Sequence, residues 1–188
     1  MAEYHLEAVS PLGGYAQTFD GLALRELEDA VITSLAIPLG GETEAGAIMN
    51  SAFGLSMPEI GTSMVTKDNT RLIRLGEDHL ICLSASEDPD AANQISGRLN
   101  GAFYTTDQSD VWAAIEISGH SVRAVLERTC PIDLDPEIFR IGGSVRTAME
   151  HMSAIIIRTD ENTFLLLCAS SSAESFLHML ETSISVVQ

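Results

Sequence analysis

Five histidines, three cysteines, the glycine runs at Gly40-Gly41 and Gly142-Gly143 and the carboxylate pair Asp133 and Asp135 are residues of types that could do chemistry. Histidine is the commonest general base and a frequent metal ligand, but His5, His79, His120, His151 and His178 lie far apart. No two have the H-x-x-x-H spacing that stacks two imidazoles on one helix face for zinc. Ser118-Gly119-His120-Ser121 sets Ser beside His, yet no G-x-S-x-G elbow surrounds it. Cys82, Cys130 and Cys168 show no C-x-x-C spacing, and Cys82 and Cys168 fall inside apolar strand patterns, so they read as buried thiols.

Gly40-Gly41 and Ile141-Gly142-Gly143-Ser144 could turn free N–H groups toward an anion. Neither belongs to a G-x-G-x-x-G or G-x-x-x-x-G-K-[ST] fingerprint, so both are expected to be turns. Asp133 and Asp135 in "CPIDLDPE" lack a third carboxylate and read as a loop cap before Pro136. Glu87-Asp88-Pro89-Asp90 suits the start of a helix, where negative charge meets the positive end of the dipole. Tyr104 and Trp112 are expected as a core ring beneath the link between two halves. On residue chemistry alone, no catalytic, cofactor-binding or metal-ligating residue is assigned.

The elements that would position these residues are written twice. "LAIPLGGETEAGAIMNSAFGLSMPEI" from Leu35 aligns with "AAIEISGHSVRAVLERTCPIDLDPEI" from Ala113 at a separation of 78. "RLGEDHLICLSASEDPDAA" from Arg74 aligns with "RTDENTFLLLCASSSAESF" from Arg158 at 84, so six extra residues lie around "RIGGSVRTAM". The duplicate of His79 is Thr163 and that of His120 is Glu42, so the repeat itself requires neither imidazole.

"LRELED" and "AVITSLAIPL" read as strands. Ala45, Ile48, Met49 and Ala52 fall on one face of a short helix, and Ala173, Phe176, Leu177 and Leu180 on one face of a later one. A polar turn at Gly76-Glu77-Asp78 or Asp160-Glu161-Asn162 joins two apolar strands into a hairpin. Each copy is thus strand, helix, hairpin, helix, of roughly 70 residues, a size marginal for an independent core. The expected fold is α+β, with helices against largely antiparallel sheets and two pseudo-duplicated halves packed as one domain. Its bounds are residues 24–188, with repeats at about 24–103 and 104–188.

Residues 1–23 are punctuated by Gly13-Gly14 and Asp20-Gly21 and carry Tyr4, Leu6, Val9, Leu12, Tyr15 and Phe19. They are expected to form a docking arm that the core does not need. The chain has 188 residues, 45% of them apolar, enough for a buried core. Its net charge of −17 repels phosphate backbones and anionic lipid, which argues against nucleic acid and membrane partners. No basic-then-apolar leader opens the sequence, and no apolar run reaches the ~18 residues of a span. A cytoplasmic location is expected.

The second half carries a family likeness. A helix with Arg123-Ala124-Val125-Leu126 precedes the Cys130–Leu134 turn; Arg146 to His151 and Arg158 follow, and then the helix from Ser171 to Leu180. In this order they resemble the gamma subunit of heterotetrameric sarcosine oxidase, and "SPLGGY" is similar to that family's lead. The resemblance implies a fold like the folate-binding domain of the glycine-cleavage T-protein, with two β-β-α-β-β-α-like halves that exchange their first strands. It implies a non-catalytic chain, kept for assembly with alpha, beta and delta subunits. That complex would oxidatively demethylate sarcosine to glycine with O2 and tetrahydrofolate, giving 5,10-methylenetetrahydrofolate and hydrogen peroxide. FAD, FMN, NAD, zinc and tetrahydrofolate would belong to the partner subunits, and no cofactor to this chain. Two alternatives stand beside it: the equivalent subunit of a related amine dehydrogenase such as N-methylglutamate dehydrogenase, or a stand-alone folate-binding aminomethyltransferase-like protein.

Overall fold

Short apolar runs broken by polar turns produce eleven strands and four α-helices in a computed structural model that describes residues 9–187. The strands of the first half are β1 (Ala16–Phe19), β2 (Leu22–Glu26), β3 (Ala30–Ala36), β4 (Thr62–Val65), β5 (Arg71–Arg74) and β6 (His79–Ala85). Helix α1 (Glu42–Phe53) follows β3, and α2 (Ala91–Arg98) follows β6. The second half holds β7 (Tyr104–Asp107), β8 (Trp112–Gly119), α3 (Val122–Leu126), β9 (Ser144–Met149), β10 (Met152–Asp160), β11 (Thr163–Ala169) and α4 (Ala173–Val187). The repeat is carried into the elements, since β6 and β11 coincide end to end at the separation of 84. Strands β4 and β9 go beyond the expected strand-helix-hairpin-helix unit; each is too short or too polar to stand out from the sequence around it.

Two antiparallel sheets result, ordered β1-β2-β8-β11-β10-β9 and β4-β5-β6-β3-β7. Apart from β1 the two orders are the same list of equivalent strands. The exchange implied by the family likeness is present: β2 pairs with β8 of the second half, and β7 pairs with β3 of the first.

The sheets face each other, and each is backed by its helices. Side chains alternate across every strand, so Ile115 and Ile117 of β8 meet α3 and α4 while Trp112 and Ala114 enter the layer between the sheets. That layer is filled by Ile32, Ile73, Ile81, Ile155, Ile157, Leu165 and Leu167 together with Trp112. Because both faces of the central strands are covered, they read as nearly continuous apolar runs. Burying each such side chain contributes roughly 1.5–3 kcal/mol.

The six residues gained by the second copy stitch one pair of sheet edges. Ser63 N–H donates to the Gly142 carbonyl at 2.6 Å, Ser144 N–H donates to the Gly61 carbonyl at 2.8 Å, and Thr62 bridges Gly143. Gly142 and Gly143 are thus more than the expected turn, since they let β9 approach β4. A Cβ at Gly143 would stand 2.8 Å from the Arg140 carbonyl oxygen.

The expected arm is, from residue 9 onward, part of this fold. Its end at residue 23 falls inside β2, where Leu22 is buried, and β1 pairs with β2 through residues 16–19. Glu26 explains the attachment. Its carboxylate, only 7% exposed, accepts the Leu12 N–H at 2.9 Å, the Gly14 N–H at 2.8 Å and the Ser10 hydroxyl at 2.8 Å. Leu12, Tyr15 and Phe19 pack on the helix-backed core of the six-stranded sheet. The Tyr15 hydroxyl donates to Glu181 on α4 at 2.6 Å. Burial, and then that carboxylate, raise its pKa above the usual phenol value. Tyr4 and Leu6 lie outside the described residues. Trp112 is buried as expected, but Tyr104 is not part of a core ring: it is 71% exposed at the start of the edge strand β7.

Two outcomes are expected. Glu26→Ala strips three buried or half-buried donors of their acceptor and should cost on the order of 2–4 kcal/mol in denaturant unfolding; removing residues 1–23 should likewise lower the melting temperature of the isolated chain. A truncated chain that melts like the full one would return the segment to the status of an arm. Gly143→Ala should cost about 1–3 kcal/mol by crowding the Arg140 carbonyl, again read by denaturant unfolding.

Candidate functional site

Each histidine whose environment is described sits in a different one. His151 forms, with Glu150, the two-residue turn between β9 and β10, both at positive φ (75° and 42°), as a tight hairpin requires. His178 is exposed on α4, beside a cleft of about 500 Å³ that also meets Arg128 and Glu150. His120 covers the β1–β2 turn so closely that a Cβ on Gly21 would lie 2.4 Å from its ring. His5 lies outside the described residues.

His79 has the most developed surroundings. The register of β3 and β6 brings its Nε2 to 3.1 Å from the Ser34 hydroxyl. Burial, and then the positive charge of Arg146, hold its pKa below the usual imidazole value, so the neutral ring predominates at pH 7. The Arg146 guanidinium itself lies over the Trp112 ring at 5.6 Å, and the indole N–H donates to Gln108 at 3.0 Å. A neutral imidazole beside a hydroxyl is the first half of a base–nucleophile pair. The second half is a group that orients the other ring nitrogen, and none of the described residues makes that hydrogen bond. Sequence reading missed this pair, because 45 positions separate its members and only strand register joins them.

The arginine of each hairpin has the same task in both halves. Arg74 donates to the carbonyls of Gly76 (3.1 Å), Glu77 (2.7 Å) and Pro58 (3.1 Å). Arg158 donates to those of Glu161 (2.8 Å) and Phe139 (2.9 Å). Arg74 thus ties its hairpin turn to the start of Pro58-Glu59-Ile60, and Arg158 ties its own to the residue after Pro136-Glu137-Ile138, with the multidentate reach that suits guanidinium to this role. Arg158 is 5% exposed, and its Nε has no partner among the described residues. A register shift between Arg158 and Asp160 separates this turn from its counterpart. Beside it, His120, Arg123 and Phe164 line a hollow of about 310 Å³.

The remaining candidates are held by local structure. Cys82 and Cys168 are buried and their thiols pushed up to about 12; burial raises Cys130 as well. None is a thiolate at neutral pH. Asp133 accepts the Asp135 N–H and Asp135 accepts the Glu137 N–H, both at 2.9 Å, so the pair caps its own loop. Gly41 N–H donates to the Pro38 carbonyl at 2.8 Å, which makes Gly40-Gly41 a turn. Among the described residues, no group of three or more His, Cys, Asp or Glu could hold a metal ion, and no helix is long and apolar enough to cross a membrane.

Comparison with known proteins agrees with this framework. In sequence the chain is 25% identical over 178 residues to a sarcosine oxidase subunit gamma of Corynebacterium sp. (strain P-1), covering 94% of this chain and 85% of the relative. It is 25% identical over 181 residues to the same subunit of Arthrobacter sp, covering 95% and 86%. In structure it matches a chain of the heterotetrameric sarcosine oxidase from Corynebacterium sp. U-96, solved with pyrrole 2-carboxylate. The TM-score is 0.76 at 25% identity, over 87% of this chain and 84% of that one. The glycine cleavage system aminomethyltransferase T from Bartonella henselae shares the fold, with a TM-score of 0.70 at 14% identity over 92% of this chain and 56% of the other. The model of the sarcosine oxidase, gamma subunit family matches residues 41–185, and the chain belongs to that family.

Proposed function

We propose that this chain is a non-catalytic, assembly-supporting subunit of a heterotetrameric sarcosine oxidase, joined to alpha, beta and delta subunits. The complex would demethylate sarcosine oxidatively to glycine, using O2 and tetrahydrofolate and releasing hydrogen peroxide and 5,10-methylenetetrahydrofolate. Family membership supports the complex. One structural observation supports the supporting role: the side chains with chemical potential are engaged in holding the fold. Arg74 and Arg158 clamp the hairpin turns, Glu26 clasps the Ser10–Gly14 turn, and the thiols are buried.

The likeness to a folate-binding domain that the sequence implies bears on whether the chain itself takes tetrahydrofolate. The layer between its sheets is filled by aliphatic side chains and Trp112, which leaves no polar, open slot there for a pteridine. This filling supports leaving tetrahydrofolate to a partner subunit. FAD, FMN, NAD, zinc and tetrahydrofolate are assigned to the partner subunits.

Co-expression with the alpha, beta and delta genes should yield one complex that oxidises sarcosine, whereas turnover of N-methylglutamate instead would move the chain to the related dehydrogenase. The isolated chain should be colourless and free of stoichiometric zinc; a flavin absorbance band or one zinc per chain would overturn the assignment of cofactors to its partners. Replacing each of His5, His79, His120, His151 and His178 by Ala in the assembled complex should leave kcat within a few-fold of wild type. A drop of ~10³-fold with assembly intact, the scale of losing an essential base, would make this subunit catalytic.

A further inference from the structure

The two sheets share one strand order but finish differently. In the six-stranded sheet the outer side of β2 is covered by β1, whereas the equivalent strand β7 ends the five-stranded sheet among the described residues. The opposite edges, β4 and β9, are stitched to each other. Strand β7, "YTTD", carries neither the Pro nor the Lys with which open edges are commonly blunted.

The equivalence extends to individual backbone groups. Gln108 N–H donates to the Ile32 carbonyl at 2.7 Å. By the antiparallel alternation, Thr106 and Tyr104 then direct their N–H and C=O toward β3, while Thr105 and Asp107 direct theirs outward. In the other sheet Leu27 occupies the place of Gln108 and likewise donates, to the Ala114 carbonyl. Glu26 occupies the place of Asp107, and its outward N–H is taken by the Tyr15 carbonyl at 2.7 Å. Beside this edge Tyr104 stands 71% exposed.

We infer that the outer edge of β7 accepts an extended, antiparallel strand from a partner subunit, seated as β1 is seated on β2. Main-chain hydrogen bonds at Thr105 and Asp107 supply the attachment, and an apolar side chain on the incoming strand covers Tyr104. A second copy of this chain is disfavoured as the occupant, since two bodies each of charge −17 repel. The inference rests on the subunit reading above.

Amide hydrogen exchange at single residues, in the isolated chain and in the assembled complex, tests it. Thr105 and Asp107 should slow by roughly 10-fold or more on assembly, while Tyr104 and Thr106, bonded to β3, should be slow in both states. Thr105→Pro removes the outward N–H and spares the inner ladder, so it should lower the yield of complex while the isolated chain melts near wild type. Thr105→Val loses the hydroxyl that accepts from Ser96 but keeps the N–H, and should assemble normally. Unchanged exchange at Thr105 and Asp107 overturns the inference. So does protection that already exists in the isolated chain and vanishes when residues 1–8 are deleted, because the chain then covers its own edge. If the wild-type chain forms no complex, the subunit reading falls and this inference with it; a complex whose β7 amides still exchange freely removes the inference alone.

Discussion

The exchange of β2 and β7 between the halves is the constraint on which the rest of the structure depends. Each sheet is completed by a strand that runs on in sequence into the other sheet, β2 into β3 and β7 into β8. Neither half can therefore finish its hydrogen-bond ladder alone. Nor can either half bury the inner face of its own sheet, because that face is covered by the opposite sheet. Backbone pairing and apolar burial thus impose the same requirement, and the two repeats fold as one unit although each is spelled out separately.

Duplication supplies a frame in which departures from symmetry are informative. The clamp of Arg74 on the first hairpin recurs as that of Arg158 on the second, so this use of guanidinium belongs to the repeat itself. Three features occur once. The lengthened segment around Gly142 and Gly143 closes the β4 and β9 edges against each other. The Glu26 carboxylate anchors the turn that leads into β1. The shift before Asp160 alters the second hairpin. Each changes how an edge or turn is satisfied and leaves the shared core alone, as expected if buried packing tolerates less variation than surface closure.

Strong polar groups in this chain are drawn into structure because an unsatisfied buried donor or carboxylate costs more than a satisfied one returns. Glu26 has three donors, and Arg158 gives two of its nitrogens to backbone carbonyls. His79 is kept neutral by burial and by Arg146, and it is joined to Ser34. These groups are immobilised by the fold.

What the sequence determined by itself was the periodic and the repeated. Apolar alternation, helix faces at Ala45 to Ala52 and Ala173 to Leu180, polar hairpin turns and the 78- and 84-residue offsets all follow from local chemistry. They were enough for the α+β class, and the family likeness lay in local motifs such as Cys130 to Leu134. Tertiary structure alone decided which strand lies beside which. Nothing local marks Ser34 as a neighbour of His79, Gly143 as a neighbour of Thr62, or Glu26 as the acceptor for Leu12 and Gly14. It also decided that Tyr15 and Phe19 pack against the core while Tyr104 faces outward. The physical reason is that a side chain's face is set by its strand's register, and its burial by what packs on that face. Both are properties of pairings between distant segments, which short-range pattern does not encode.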